Sequence, residues 1–114
     1  MKQVFDMHLQ EVPFKLIKNG LKTVEMRLNN KDRDIISKCD FIVFHNSYDE
    51  EIIKVIVTSV SKFSSFKELY KTYPKQRLGY RDNEIADPDD MLKYYREEDI
   101  KKYGALAIEI SLVK

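Results

Sequence analysis

Three polar side chains in segment 20–28 are spaced two residues apart, and their types could bind an anion or a polar ligand. Thr23, Glu25 and Arg27 supply a hydroxyl, a carboxylate and a guanidinium group, and Lys22 stands directly before them. On a β-strand such residues point to one side, about 6.5–7 Å apart. Glu25 could orient Arg27 or accept from an amino group, whereas Arg27 and Lys22 could hold a phosphate or a carbonyl oxygen. From spacing alone, a solvent-exposed strand face with one surface ion pair is the commoner explanation.

Further candidate residues lie on other predicted elements. His8, on the polar face of the first predicted strand, could donate a proton or contact a base, although a histidine beside an acid is more often simply hydrogen-bonded. Asn46 and Ser47 follow the third predicted strand, where they could bind a nucleobase edge or simply end the strand. Tyr80 lies in an irregular loop and could form a wall of a ligand site. The tyrosines of the helical segments are interpreted mostly as helix–core contacts: Tyr70, Tyr73, Tyr94, Tyr95 and Tyr103.

The composition sets broad limits on the class of protein. A length of 114 residues fits a single domain, 1–114. The net charge of +1 gives no global attraction to nucleic acid, so an anionic partner must be bound by a local cluster. The single cysteine, Cys39, allows neither an intrachain disulfide nor a cysteine pair for a metal. No signal-peptide core or run of about 20 apolar residues is present, which predicts a cytoplasmic protein without a membrane segment.

The predicted elements indicate an α+β fold. Strands are predicted from alternation and β-branched runs at residues 4–9, 22–28, 41–44, 52–60 and 105–113. Helices are predicted from Pro13 to Gly20, after the Ser65 capping box, and from Asp87 to Gly104 with a break near Arg96. Strands and helices do not alternate regularly, so a doubly wound parallel sheet is not expected. A small curved sheet or partly closed barrel fits best, with about five strands and three to four helices.

Several motifs resemble the ASCH domain family. The main one is Gly20-x-Lys22-Thr23-x-Glu25-x-Arg27, preceded by Pro13-Phe14-x-x-Ile17. Other segments resemble the small stand-alone bacterial members: Ser65-Phe66-Lys67-Glu68-Leu69, Leu78-Gly79-Tyr80, Met91-x-x-Tyr94-Tyr95 and Tyr103-Gly104-x-x-x-Ile108-x-Ile110. Together these motifs extend over nearly the whole chain.

The resemblance implies a PUA-like β-barrel with helices at its ends, and a cleft lined by the Lys-Thr-x-Glu-x-Arg row that is proposed to bind RNA or a nucleotide. Some similar proteins are amidohydrolases of N4-acetylcytidine that use a lysine, a nucleophilic threonine and a glutamate. Lys22 matches the lysine of those enzymes, but Glu25 stands where they carry the threonine. A carboxylate there would tend to keep Lys22 protonated, as a binding group rather than a base.

The sequence thus favours an RNA- or nucleotide-binding module without a cofactor or metal. The candidate ligand-binding residues are Lys22, Thr23, Glu25, Arg27, His8, Asn46, Ser47 and Tyr80. The alternative is a hydrolase of an acylated nucleoside or of RNA, with Lys22 and Glu25 as catalytic residues. A protein-interaction module is a third possibility, because function belongs to sites rather than to folds.

Overall fold

A computed structural model describes residues 2–114 and contains one five-stranded mixed sheet. The elements in chain order are β1 (Val4–Leu9), α1 (Glu11–Lys18), β2 (Val24–Leu28), β3 (Phe41–Asn46), β4 (Ile52–Phe63), α2 (Phe66–Thr72), a 3₁₀ segment (Pro88–Lys93), α3 (Glu97–Tyr103) and β5 (Ala105–Leu112). The strand order is β1-β3-β4-β5-β2; β1 and β3 are parallel and the other pairs are antiparallel. This confirms the predicted α+β class, with five strands and four helical segments.

The main core fills the concave side of the sheet and is covered by α1. Phe14 and Ile17, three residues apart on α1, are both fully buried there, as their spacing predicted. They pack with alternate residues of the strands, such as Met7 and Phe44. Complete burial of side chains of this size stabilises the fold by about 1.5–3 kcal/mol each. In the chain, α1 connects the two edge strands, β1 and β2. Its apolar face holds it against the sheet.

A second core cluster lies where α2 and the following loop cover β2 and β5. Phe66 and Leu69 of α2 pack with Val24 of β2 and with Ala105 and Ala107 of β5. The two alanines keep this layer close to the sheet because their side chains are short. Glu25, on the opposite face of β2, is also buried, so the interpretation of the polar row as an ordinary solvent-exposed face is wrong for this residue.

The structure shifts some predicted boundaries. β2 begins at Val24 rather than at residue 22, because the amides of Thr23 and Val24 both donate to the Arg77 carbonyl at 3.0 Å. β4 continues to Phe63, beyond its predicted end, through a register shift between Val57 and Ser59. The predicted helix at 87–103 divides into the 3₁₀ segment and α3, with the expected break at the residues before Glu97. Within residues 2–114, every helix is too short or too polar to cross a membrane.

The sheet curls, so that its two edge strands, β1 and β2, approach each other although they are at opposite ends of the strand order. Arg27 of β2 donates through Nη2 to the main-chain carbonyl of His8 on β1, at 3.2 Å. The two edges are thus bridged by a side chain rather than by a backbone ladder. This arrangement leaves a gap between the strand edges, and a cavity opens there.

Candidate ligand-binding cavity

A cavity of about 430 Å³ lies between the end of β1, α1, β2 and the segment that follows α2. Its volume is within the range of pockets that bind small organic ligands. Of the candidate residues from the sequence, six line it: His8, Lys22, Glu25, Arg27, Ser47 and Tyr80. Leucine, methionine and proline side chains supply much of the remaining lining: Leu9, Pro13, Leu16, Met26, Leu78 and Met91.

A buried cluster of charges forms one side of the cavity. The Glu25 side chain is 3% exposed, and it lies between Lys22 at 9% and Arg27 at 13%. Lys22 Nζ is 2.9 Å from Glu25 Oε1, whereas Arg27 Nε and Nη2 are 2.9 and 2.8 Å from Oε2. The amide of Met26 also donates to Oε1, at 3.2 Å. Two cations and one anion leave an excess of one positive charge beside the cavity.

The pKa of Glu25 reflects this environment. Burial alone would raise it, but the charges of Lys22 and Arg27, together with their hydrogen bonds, outweigh burial and lower the pKa to about 2. The carboxylate is therefore ionised at neutral pH and has no proton to donate. It holds the two cations in place as a structural counter-ion.

The position of Lys22 depends on two backbone features. Its amide and that of Leu21 both donate to the Leu16 carbonyl, at 3.0 and 2.9 Å, which ends α1 and turns the chain into the cavity. Across the cavity wall, Gly79 leaves room for the lysine stem: a Cβ atom there would lie 3.0 Å from Lys22 Cδ. Gly79 also has φ +104°, a conformation that side-chain-bearing residues rarely adopt.

His8 brings an imidazole to the cavity rim. Its exposed ring stacks on that of His45, with centroids 5.0 Å apart and planes 21° apart. His45 Nε2 in turn lies 2.8 Å from Asp6 Oδ1. The first and second strands are not hydrogen-bonded neighbours, yet the contact between Arg27 and the His8 carbonyl joins His8 to the charged cluster.

A hydrogen-bonded tyrosine pair forms another wall. The Tyr80 hydroxyl lies 2.8 Å from that of Tyr70 and 2.7 Å from Asp90 Oδ2. Burial, the Tyr70 hydroxyl and the Asp90 carboxylate all raise the pKa of Tyr80, and burial raises that of Tyr70 to about 12. Both phenols are therefore neutral, and the pair anchors the 3₁₀ segment that begins at Pro88 beside the cavity.

Three tyrosines interpreted from the sequence as helix–core contacts also line the cavity: Tyr70, Tyr94 and Tyr95. Tyr95 does stack on Phe66, with centroids 6.0 Å apart, but it also lines the cavity beside Arg27. Tyr94 lines the cavity and remains 57% exposed. Tyr94 and Tyr95 lie just before the predicted break that precedes α3. Residues at such a break need not follow the helical pattern, so this position was the one indication in the sequence that their rings could face a cavity.

Two candidate residues lie away from the cavity lining. Thr23 precedes β2, so its side chain does not point into the cavity as that of Glu25 does. Its hydroxyl instead accepts from Arg77 Nε at 2.9 Å. The amide of Asn46 is 1% exposed; it donates to Glu11 at 3.1 Å and accepts from the backbone of Tyr48 at 3.0 Å. Both side chains thus stabilise loops. No group of three or more His, Cys, Asp or Glu residues suited to a metal ion is found in the stretch 2–114.

Comparison with known proteins decides the family. The sequence profile described as the ASCH domain matches residues 7–114, nearly the entire chain. The chain belongs to the ASCH domain family. A search of curated protein sequences gave no significant match for this ASCH domain.

Solved structures agree with the fold of this ASCH domain. It is similar to the crystal structure of the hypothetical protein PH0355, with a TM-score of 0.82 and 31% identity over 97% of this chain and 100% of that one. Protein PF0455 from Pyrococcus furiosus, solved by NMR, has a TM-score of 0.70 and 30% identity, with coverage of 98% and 99%. An ASCH domain from Lactobacillus crispatus shares the fold at 14% identity, with a TM-score of 0.67 and coverage of 96% and 79%.

Proposed function

We propose that this ASCH domain binds RNA or a free nucleoside or nucleotide by taking one nucleobase into the cavity. The observation that carries the proposal is the buried cluster of Lys22, Glu25 and Arg27 beside a cavity with tyrosine walls. Holding two cations and a carboxylate out of water is unfavourable unless they are well paired, so such a cluster is unusual as a purely structural device. Its surplus positive charge favours an electron-rich or anionic ligand.

The remaining lining supports a planar ligand. Leu78 and Met91 supply apolar surface, and the rings of Tyr94 and Tyr95 offer stacking partners for a heteroaromatic base. Stacking of one base on an aromatic side chain contributes about 1–3 kcal/mol. An apolar wall with a few convergent polar groups is the usual composition of a small-molecule site.

The geometry favours binding over hydrolysis at position 25. A general acid or base needs a pKa near the working pH, whereas the pKa of Glu25 is about 2. Its oxygens are also engaged by Lys22, Arg27 and the Met26 amide, so none is directed at a substrate proton.

The direct test is calorimetric titration of the domain with nucleosides, nucleotides and short single-stranded RNAs. Tyr94→Ala should weaken binding about tenfold or more by removing a stacking surface, and Arg27→Ala should weaken it by removing charge. Tyr48→Ala is a matched control, because Tyr48 is 78% exposed and does not line the cavity. If wild-type protein binds none of these ligands, the proposal fails. Conversion of N4-acetylcytidine to cytidine would instead establish the hydrolase alternative.

A further inference from the structure

The Glu25 carboxylate has no hydrogen-bonding capacity left for a ligand. A carboxylate offers about four lone-pair positions on its two oxygens. Oε1 accepts from Lys22 Nζ and from the amide of Met26, and Oε2 accepts from Arg27 Nε and Nη2. All four positions are therefore taken by the protein. The sequence indicates that Glu25 could accept a hydrogen bond from the amino group of a base. Neither of its oxygens has a free lone-pair position for that bond.

The two cations, by contrast, retain donors. An ammonium group has three N–H donors, and for Lys22 Nζ the recorded partner among residues 2–114 is the Glu25 carboxylate. Two donors thus remain on a side chain that is more than nine-tenths buried and lines the cavity. Arg27 has five N–H donors. Glu25 and the His8 carbonyl take those of Nε and Nη2, and Arg27 also interacts with Tyr95, so at most one donor remains for a ligand.

The second carboxylate of the lining, Asp90, is engaged through one oxygen. Oδ2 accepts from the Tyr80 hydroxyl at 2.7 Å, whereas Oδ1 makes only an ion pair with Lys93 Nζ at 3.8 Å, on the more exposed side of the cavity. Within the charged cluster, the Glu25 carboxylate therefore offers no free acceptor, whereas the buried cations still offer donors. A ligand group facing the cluster must be an acceptor, because an amino group placed there would leave the buried donors unpaired.

We infer that the cavity discriminates between nucleobases, and binds those with a carbonyl oxygen at the C4 position of a pyrimidine or the C6 position of a purine in preference to those with an amino group there. The inference rests on the proposed function and names its substrate class. Uracil presents O4, and guanine or hypoxanthine presents O6 beside N7, all of which accept from Lys22 and Arg27. Cytosine and adenine present an amino donor at the same place.

The test is a pairwise titration of the wild-type domain at fixed salt with inosine against adenosine and with uridine against cytidine. Each pair differs at the oxygen or amino position and at the adjacent ring nitrogen, which carries a hydrogen in the oxygen-bearing member. We expect the oxygen-bearing nucleoside of each pair to bind about tenfold or more tightly, which is the discrimination that a good donor–acceptor match provides. Equal affinity within both pairs, or preference for the amino-bearing member, would overturn the inference while leaving the proposed function intact.

Two further measurements separate the alternatives. Lys22→Met should bring the two affinities of each pair close together, whereas Lys67→Met, an exposed site on α2, should leave their ratio unchanged. The wild-type ratios decide the question even if Lys22→Met is poorly folded. Ribose 5-phosphate binding as tightly as uridine monophosphate would show that the cluster takes a phosphate, which would contradict the inference. Absence of binding by every nucleoside, nucleotide and short RNA would overturn the proposed function itself.

Discussion

At the scale of single residues, Glu25 carries the clearest consequence for stability. Its pKa is about 2 in the folded protein, against an ordinary value of 4.5. A group with a lowered folded-state pKa stabilises the protein above its unfolded pKa, and this stabilisation disappears as the pH falls from about 4.5 towards 2. The full effect is on the order of 3 kcal/mol. Urea denaturation of the wild type between pH 7 and 3 should show this decline.

Glu25→Gln isolates the contribution of this residue to the pH dependence. The variant should be less stable at pH 7 by about 3–5 kcal/mol, because two buried cations lose their counter-ion. Its free energy of unfolding should also depend less on pH below about 4.5. Glu51→Gln is the control, since Glu51 pairs with Lys15 and Lys18 at a more exposed position. If the free energy of unfolding of Glu25→Gln declines with acid in parallel with that of the wild type, Glu25 is not the source of this pH dependence.

Gly79 provides a second residue-scale prediction. Gly79→Ala should lower stability by about 1–2 kcal/mol, because φ is +104°, and should also displace Lys22, whose Cδ lies 3.0 Å from the new Cβ. Gly20→Ala is a matched control, since φ there is +78° but nothing lies within 4 Å of a Cβ. Both variants should lose similar stability in urea titrations, yet only Gly79→Ala should lose nucleoside affinity. Equal loss of affinity in both would refute a specific role for the glycine.

At the scale of elements, the sequence predicted what depends on local contacts. The Ser65 hydroxyl accepts from the Glu68 amide at 3.2 Å, as the Ser-x-x-Glu pattern indicated for the start of α2. Alternation in β2 correctly placed Val24 in the core. The polar face of β2 could not be predicted as buried, because the residues that line the cavity beside it, such as Leu78 and Tyr95, are far away in sequence. The loop after α2 supplies Arg77, which holds Thr23 away from the predicted row.

The 3₁₀ segment Pro88–Lys93 should depend on the Tyr80 hydroxyl. This group contacts Asp90 Oδ2 and, at 3.3 Å, the Asp87 carbonyl. Tyr80→Phe should reduce global stability by about 1–2 kcal/mol and accelerate amide hydrogen exchange in the 3₁₀ segment. Tyr73→Phe is the control, because its hydroxyl makes only a 3.5 Å contact with Glu109. Unchanged exchange in Tyr80→Phe would mean that apolar packing alone holds the segment.

At the scale of the whole molecule, the cavity depends on the curl of the sheet. The contact between Arg27 and the His8 carbonyl joins the two edge strands, and it could not be predicted from the sequence because it depends on the curvature of all five strands. One motif indicated Lys22, Glu25 and Arg27, but the tyrosines that complete the cavity come from α2 and from two later connecting segments, which tertiary packing brings together. Local patterns thus indicated the charged half of the site and missed much of the aromatic half.

The overall charge distribution predicts weak salt dependence of RNA binding. The net charge is +1, and the buried cations that face the ligand are Lys22 and Arg27. Because these two cations face a base oxygen rather than a phosphate, few phosphates are neutralised, and an allowance of about two on a single strand gives a slope near −1.4 for log K against log salt. Affinity for a short RNA should therefore fall about sevenfold between 50 and 200 mM salt. A slope steeper than about −4 would indicate a long phosphate track outside the cavity.

The central claim, that a nucleobase enters this cavity, is tested most directly by following backbone amide chemical shifts during titration with inosine or uridine. We predict saturable shifts at up to about 1 mM ligand, concentrated at Met26, Gly79, Tyr80 and Tyr94, with little change along the exposed residues of β4. Shifts confined to residues outside the cavity, or no shifts with either nucleoside, would contradict the claim.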